Sequence, residues 1–269
     1  MFGKRLLSGI VLVIIAILVL VRGDYVLLAV LGLVSLVGTY EILRAIKMEK
    51  EHIGIICYLS LVGYYVLLYF GRSDCFMGLL VATLLILLVV YVLRYPRYTT
   101  ENIAMMFFVI LYVGVLMSYV YQVRCFEDGK LFVWLIFASA WGSDTSAYLT
   151  GMLIGKHKLP SELSPKKTIE GCIGGVIGAA LIGFGFSFLY HDTGLFVISP
   201  HIVFALIGAF GSIISQLGDL TASAIKRNHG IKDYGDIIPG HGGILDRFDS
   251  IIFVAPVVYY IILCLARIS

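Results

Sequence analysis

Residues 76–93 read FMGLLVATLLILLVVYVL, eighteen positions without a single charge. At a helical rise of about 1.5 Å per residue, such a run covers most of the roughly 30 Å hydrocarbon core of a bilayer. Inside lipid, every backbone N–H and C=O must find its partner within the segment. The alternating ten-residue pattern of an outer-membrane barrel is missing, so the run reads as a transmembrane helix.

Working outward from it, comparable apolar runs lie near 6–21, 25–43, 53–70, 103–121, 131–155, 171–190, 201–218 and 250–266, about nine in all. The 269 residues are 60% hydrophobic and 14% charged, with a mean hydropathy of +0.98. That balance excludes a soluble globular domain. The expected fold is all-α: a polytopic integral membrane protein with about nine transmembrane helices. The first run follows MFGKR and precedes VRGDY without a small-residue cleavage pattern, so it reads as a retained span.

Nine spans divide the basic residues unevenly. Arg22, Arg72, Arg124, Lys130 and Arg267 fall in one set of loops, and the other fifteen of the 20 Lys and Arg residues fall in the opposite set. The positive-inside rule then puts the N-terminus and the charge-rich loops in the cytoplasm of a cell whose inner membrane holds the protein. The five cysteines show no metal-binding spacing; Cys75 and Cys125 both fall in outer loops and could pair there, but free thiols are expected, because disulfide frameworks belong to small secreted domains. No linker or repeat divides the chain, so residues 1–269 read as one transmembrane domain, and nothing in it marks a nucleic-acid partner.

The two halves differ in character. Residues 1–125 read as scaffold spans; Glu41 is the only ionisable group well inside them and lies near enough to a helix end to reach the interface. Residues 131–269 read as catalytic spans with cytoplasmic loops. In AWGSDTSAYLTGMLIGK, 140–156, Asp144 stands where a carboxylate costs about 2.5–3.5 kcal/mol, so it should face protein or water. Ser143, Ala147, Gly151 and Gly155 form a small-residue stripe, as do Gly171, Gly175, Ala179 and Gly183, and such stripes let helices approach closely. Ser212, Gln216, Asp219, Ser223, Lys226 and Arg227 recur at intervals of three or four, making one face of the eighth span polar and implying a cavity.

The chemistry concentrates near PGHGGILDRFDS, 239–250. Asp246 and Asp249 share a helical face, and Asp219 can meet them across an antiparallel helix pair. Converging carboxylates repel unless a cation intervenes. Oxygen ligands without thiolates point to Mg²⁺, which takes one or two carboxylates together with waters and substrate phosphates. Lys166, Lys167, Lys226, Arg227, Lys232 and Arg247 supply the positive charge that holds a polyphosphate during phosphoryl or nucleotidyl transfer. His241 can donate a hydrogen bond or shuttle a proton. No nucleophilic side chain is needed where the acceptor is itself a phosphate.

Residues 223–249, SAIKRNHGIKDYGDIIPGHGGILDRFD, resemble the signature of the phosphatidate cytidylyltransferase (CDP-diacylglycerol synthase) family. The matching anchors are Ser223, Lys226, Arg227, Lys232, Asp233, His241, Gly242, Gly243, Asp246, Arg247 and Asp249. SDTSAYLTGMLIGK, LSPKKTIEG and QLGDLTAS are also similar, with Ile169 replacing a larger aromatic. The resemblance implies transfer of CMP from CTP to phosphatidic acid in the membrane, with Mg²⁺ as cofactor, and a homodimer. Together with the residues' own chemistry it assigns Asp219, Asp246 and Asp249 to the metal. Lys167, Lys226 and Arg227 go to the phosphates, and His241, Gly242 and Gly243 to the nucleotide. Asp144 and Ser223 line the cavity, either behind the ligands or as ligands of a second, monovalent cation. An ion-coupled transporter would carry polar sites in both halves, and a CDP-alcohol phosphotransferase a different four-aspartate pattern.

Overall fold

The structure is a computed structural model that describes residues 2–160, 163–191, 194–237 and 242–266, with side chains from Gly9 onward; Arg267 lies outside them. Its described residues are helical throughout apart from turns and two isolated bridges, Lys158–Thr168 and Phe196–Ala266. The helices are α1 Phe2–Arg22, α2 Asp24–Ala45, α3 Gly54–Tyr69, α4 Phe76–Leu93, α5 Thr100–Val109, α6 Leu116–Arg124, α7 Gly129–Ile154, α8 Ile169–Phe186, α9 Pro200–Asn228 and α10 Leu245–Leu265. A π-helical stretch, Ile110–Val115, joins α5 to α6. The apolar runs lie on these helices, and six helical spans among the described residues are long and apolar enough to cross a membrane. α7 is not among the six, because Asp144 and its hydroxyl neighbours dilute its second half.

The helix starts follow local chemistry. Thr99 accepts from the Asn102 amide while Asn102 returns a bond to the Thr99 backbone, a reciprocal cap at the start of α5. Thr168 caps α8 through the Gly171 N–H at 3.1 Å. Pro200 occupies the first turn of α9, where its missing N–H costs nothing.

The chain gathers into two compact units. One holds residues 1–121 and 233–247; the other holds 122–232 and 248–269. The segment 233–247, which carries much of the charged signature, therefore belongs with the apolar first half. A boundary near residue 125 keeps residues 223–249 together, whereas these units divide them at 232/233 and 247/248.

In the first unit, Leu43, Ile53, Cys57, Leu87, Met106 and Ile110 are fully or almost fully buried and form a cluster from α2, α3, α4, α5 and the π-helical stretch. Among its buried hydroxyls, those of Ser35 and Ser60 are paired, which offsets the cost of placing them in a low-dielectric interior, whereas Thr39 Oγ1 has no hydrogen-bond partner. Ser35 shares a 2.8 Å bond with Tyr65 and donates to the Val113 carbonyl at 3.2 Å, and Ser60 bonds Thr83 at 2.8 Å. Gly114, within the π-helical stretch, lies so close to the Leu61 side chain that a Cβ would overlap it.

In the second unit, α7, α8 and α9 pack through the two small-residue stripes. Cβ atoms built on Gly175 would lie 3.1 Å from the Ser143 carbonyl and 3.2 Å from the Ala147 side chain. At Gly183 and Gly208 they would collide with the Phe204 and Ala179 carbonyls of the facing helices. Phe132 is wholly buried among Tyr190, Phe196 and Phe204, with ring centroids 5.9–6.0 Å away, closing the far end of this unit. Cys75, in the first unit, and Cys125, in the second, are both free thiols.

Candidate active site

Between α7 and α8 the chain folds back on itself. Leu159 N–H donates to the Lys167 carbonyl at 2.8 Å, and Ile169 N–H donates to the His157 carbonyl at 2.9 Å. Glu170 ties the base of this turn by accepting from the His157 backbone at 3.2 Å and pairing with its Nδ1 at 2.5 Å. The result presents Lys167 to α9, where its Nζ donates to Asp219 Oδ2 at 2.6 Å.

Lys166, Lys167 and Asp144 share a cavity of about 400 Å³ whose remaining wall is Ala147, Tyr148, Gly151, Met152, Thr168, Gly171, Cys172 and Gln216. Asp144, Lys166 and Lys167 are its ionic groups, while Tyr148 and Met152 of the same lining are 70% and 62% exposed on α7. Gln216 is fixed by donating to the Cys172 carbonyl at 3.1 Å and to Ser212 at 3.3 Å. Ser212 in turn shares a buried 2.7 Å bond with Ser143. The polar face expected on α9 is thus built from mid-helix outward, and the small residues bring it within reach of α7 and α8.

Further along α9, Ser223 stands one turn beyond Asp219, Lys226 is almost buried, and Arg227 is exposed with Nη1 donating to the Ile231 carbonyl at 3.1 Å. Lys232 is exposed just past the helix. Asp249, on α10, accepts from the Ser250 amide at 2.7 Å. A Cβ on Gly218 would lie 2.9 Å from the Asp249 carbonyl, so the second unit brings the neighbours of Asp219 and Asp249 into direct contact.

The first unit holds the rest of the signature. Asp246 is 7% exposed, and its Oδ2 accepts from the Tyr234 amide at 2.8 Å and the Gly243 amide at 2.9 Å. Gly242 adopts φ +86, a conformation that favours glycine, with Asp246 Oδ2 only 3.0 Å from where a Cβ would sit. Asp233 and Arg247 are exposed. His241 lies outside the described residues.

Sequence reading missed Glu41. Far from snorkelling to an interface, it is 1% exposed. Its Oε1 accepts from Ile244 N–H and its Oε2 from Leu245 N–H, both at 2.8 Å. A signal for it was available: a lone acid in an apolar helix is costly without a partner.

Among the described residues no three His, Cys, Asp or Glu side chains form a metal-binding cluster. A Mg²⁺ ion needs only one or two carboxylates when waters and phosphates complete its octahedron, so a three-residue cluster is not a requirement for binding it.

Proteins named phosphatidate cytidylyltransferase from Bacillus subtilis, Staphylococcus saprophyticus and Staphylococcus haemolyticus are 31%, 35% and 36% identical to the chain. The three matches cover 96%, 94% and 94% of this chain and 97%, 95% and 95% of theirs. With residues 3–265 matched by the cytidylyltransferase family model, the chain belongs to the cytidylyltransferase family.

Proposed function

We propose that this protein transfers CMP from CTP to phosphatidate, producing CDP-diacylglycerol and pyrophosphate. The observation that carries the reading is the cavity of the second unit, which suits an amphiphilic phosphate. Lys166 and Lys167 offer positive charge in its lining, and Tyr148 and Met152 add apolar side chains that are also exposed on α7. The family match and the names of the relatives support CTP as the second substrate.

The reaction is an in-line displacement. A phosphate oxygen of phosphatidate, already anionic at neutral pH, forms a bond to the α-phosphorus of CTP as the bond to the bridging β-phosphate oxygen breaks. No proton need be removed from the attacking group. Lys167, Lys226 and Arg227 hold the phosphates and oppose the charge that grows on the departing pyrophosphate. Lys166, Lys232 and Arg247 add to the same field, and the motif resemblance assigns His241, Gly242 and Gly243 to the nucleotide. Mg²⁺, when bound, would supply positive charge that neutralises the substrate phosphates. Its ligands are drawn from Asp219, Asp246 and Asp249, a set supported by their motif spacing and by the all-oxygen chemistry. Asp144 and Ser223 line the cavity behind them, with room in this assignment for a monovalent cation.

The basic loops support an orientation with the N-terminus and the site facing the cytoplasm, and the apolar runs support about nine crossings. Family resemblance supports a homodimer. The direct assay is detergent-purified protein with CTP, phosphatidate and Mg²⁺. CDP-diacylglycerol should form, should fail to form when diacylglycerol replaces phosphatidate, and should fall by at least about 100-fold in Asp246→Asn. Equal product from diacylglycerol, or from the variant, contradicts the reading.

A further inference from the structure

The Glu41 carboxylate is the point about which the signature segment of the first unit is folded. Besides taking the amides of Ile244 and Leu245, it crowds two glycines. A Cβ on Gly235 would lie 2.8 Å from Oε1, and one on Gly243 would lie 2.5 Å from it. The backbone therefore passes Glu41 at two glycines, where a Cβ would force the carboxylate to shift. The two amides open the first turn of α10, so Glu41 caps that helix from 203 and 204 residues away. A carboxylate at a helix N-terminus satisfies otherwise orphaned donors and meets the positive end of the helix dipole.

Glu41 is itself held firmly. Its neighbours Ile42 and Leu43 are completely buried. Two turns earlier on α2, Ser35 is anchored to Tyr65 and to the Val113 carbonyl. Asp246 follows Leu245 directly, and its Oδ2 closes the segment by taking the Tyr234 and Gly243 amides. Two carboxylates thus divide the work: Asp246 ties the segment to itself, and Glu41 ties it to the scaffold.

We infer that Glu41 is a positioning residue for cytidylyl transfer, holding the 242–246 segment where Asp246 can act. Its two carboxylate oxygens are engaged by the Ile244 and Leu245 amides. The inference rests on the activity proposed above, and its test separates the two. Glu41→Gln keeps the size of the side chain but turns an amide NH₂ toward one of the two backbone donors, so one of the two bonds is lost.

The experiment compares the unmodified protein, Glu41→Gln and Gly235→Ala, which pushes a methyl group at the same carboxylate from another side. Hydrogen exchange is followed in the peptide 233–247 and in α3 as a control. Both variants should exchange faster in 233–247 by about tenfold, the effect of losing one charge-assisted bond, with α3 unchanged. In the CTP assay kcat should fall roughly 10- to 100-fold, as a sub-ångström displacement of a reacting group does, and the Mg²⁺ concentration for half activity should rise. KM for phosphatidate should stay within about twofold, since its contacts lie elsewhere.

Exchange that quickens equally in α3, or not at all in 233–247, overturns the inference, as does a loosened segment with unchanged kcat and Mg²⁺ dependence. If the unmodified protein makes no CDP-diacylglycerol, the proposed activity fails, while the exchange result still decides whether Glu41 sets the segment.

Discussion

Lys167 and Asp219, 52 residues apart, form an ion pair at 2.6 Å with side chains 27% and 35% exposed. At that exposure the pair contributes little to stability, since solvent screens it. Its significance is local: an ammonium that will meet phosphate and a carboxylate assigned to the metal are held together before either ligand arrives. The two residues should therefore act as one unit. Lys167→Met and Asp219→Asn should each lower kcat/KM for CTP by about 100-fold, and the double variant should be little worse than either. Effects that multiply fully would show that the pair is incidental.

Gly242 stands at φ +86 with Asp246 Oδ2 beside it. Gly242→Ala forces a left-handed alanine, at about 1–2 kcal/mol, and crowds the carboxylate. Activity should fall by at least about tenfold while the unfolding temperature in detergent drops by only a few degrees. Full activity would contradict the described geometry.

On α8, Gly183 and Gly185 make a matched pair of tests. A Cβ at Gly183 meets the Phe204 backbone, whereas one at Gly185 meets nothing within 4 Å. Gly183→Ala should destabilise by about 1–3 kcal/mol through overpacking. Gly185→Ala should stabilise by up to about 1 kcal/mol through helix propensity. Thermal unfolding in one detergent reads both, and the same sign for the two would refute the packing of α8 on α9.

Orientation is open to chemical labelling. Cys125 is exposed at the end of α6 and Lys158 is exposed in the α7–α8 turn. In intact cells an impermeant maleimide should label a single-cysteine protein retaining Cys125. A Lys158→Cys protein lacking the native cysteines should react only after permeabilisation. The reverse pattern would place the charge-rich loops outside.

The helices were legible because an apolar run of membrane length leaves the backbone no alternative to internal hydrogen bonding. The stripes of Gly175 and Gly183 were legible for a related reason, since only small residues allow helix backbones to touch. Partners were harder. Neither Lys167 nor Asp219 carries a sign of the other, because the turn that joins them depends on the His157–Glu170 contact and on backbone bonds between 157–159 and 167–169. Glu41 was read by its nearness to a helix end, although the costly-charge argument that singled out Asp144 applies to it equally. The end it caps belongs to another helix, and local sequence holds no trace of that.

The central claim is nucleotidyl transfer to a lipid phosphate, and the fate of two labels tests it most directly. With purified protein, phosphatidate and Mg²⁺, CTP labelled at the α-phosphate should pass its label into the lipid fraction. CTP labelled at the γ-phosphate should leave its label in pyrophosphate. Label from the γ position in lipid, or none from the α position, would contradict the account.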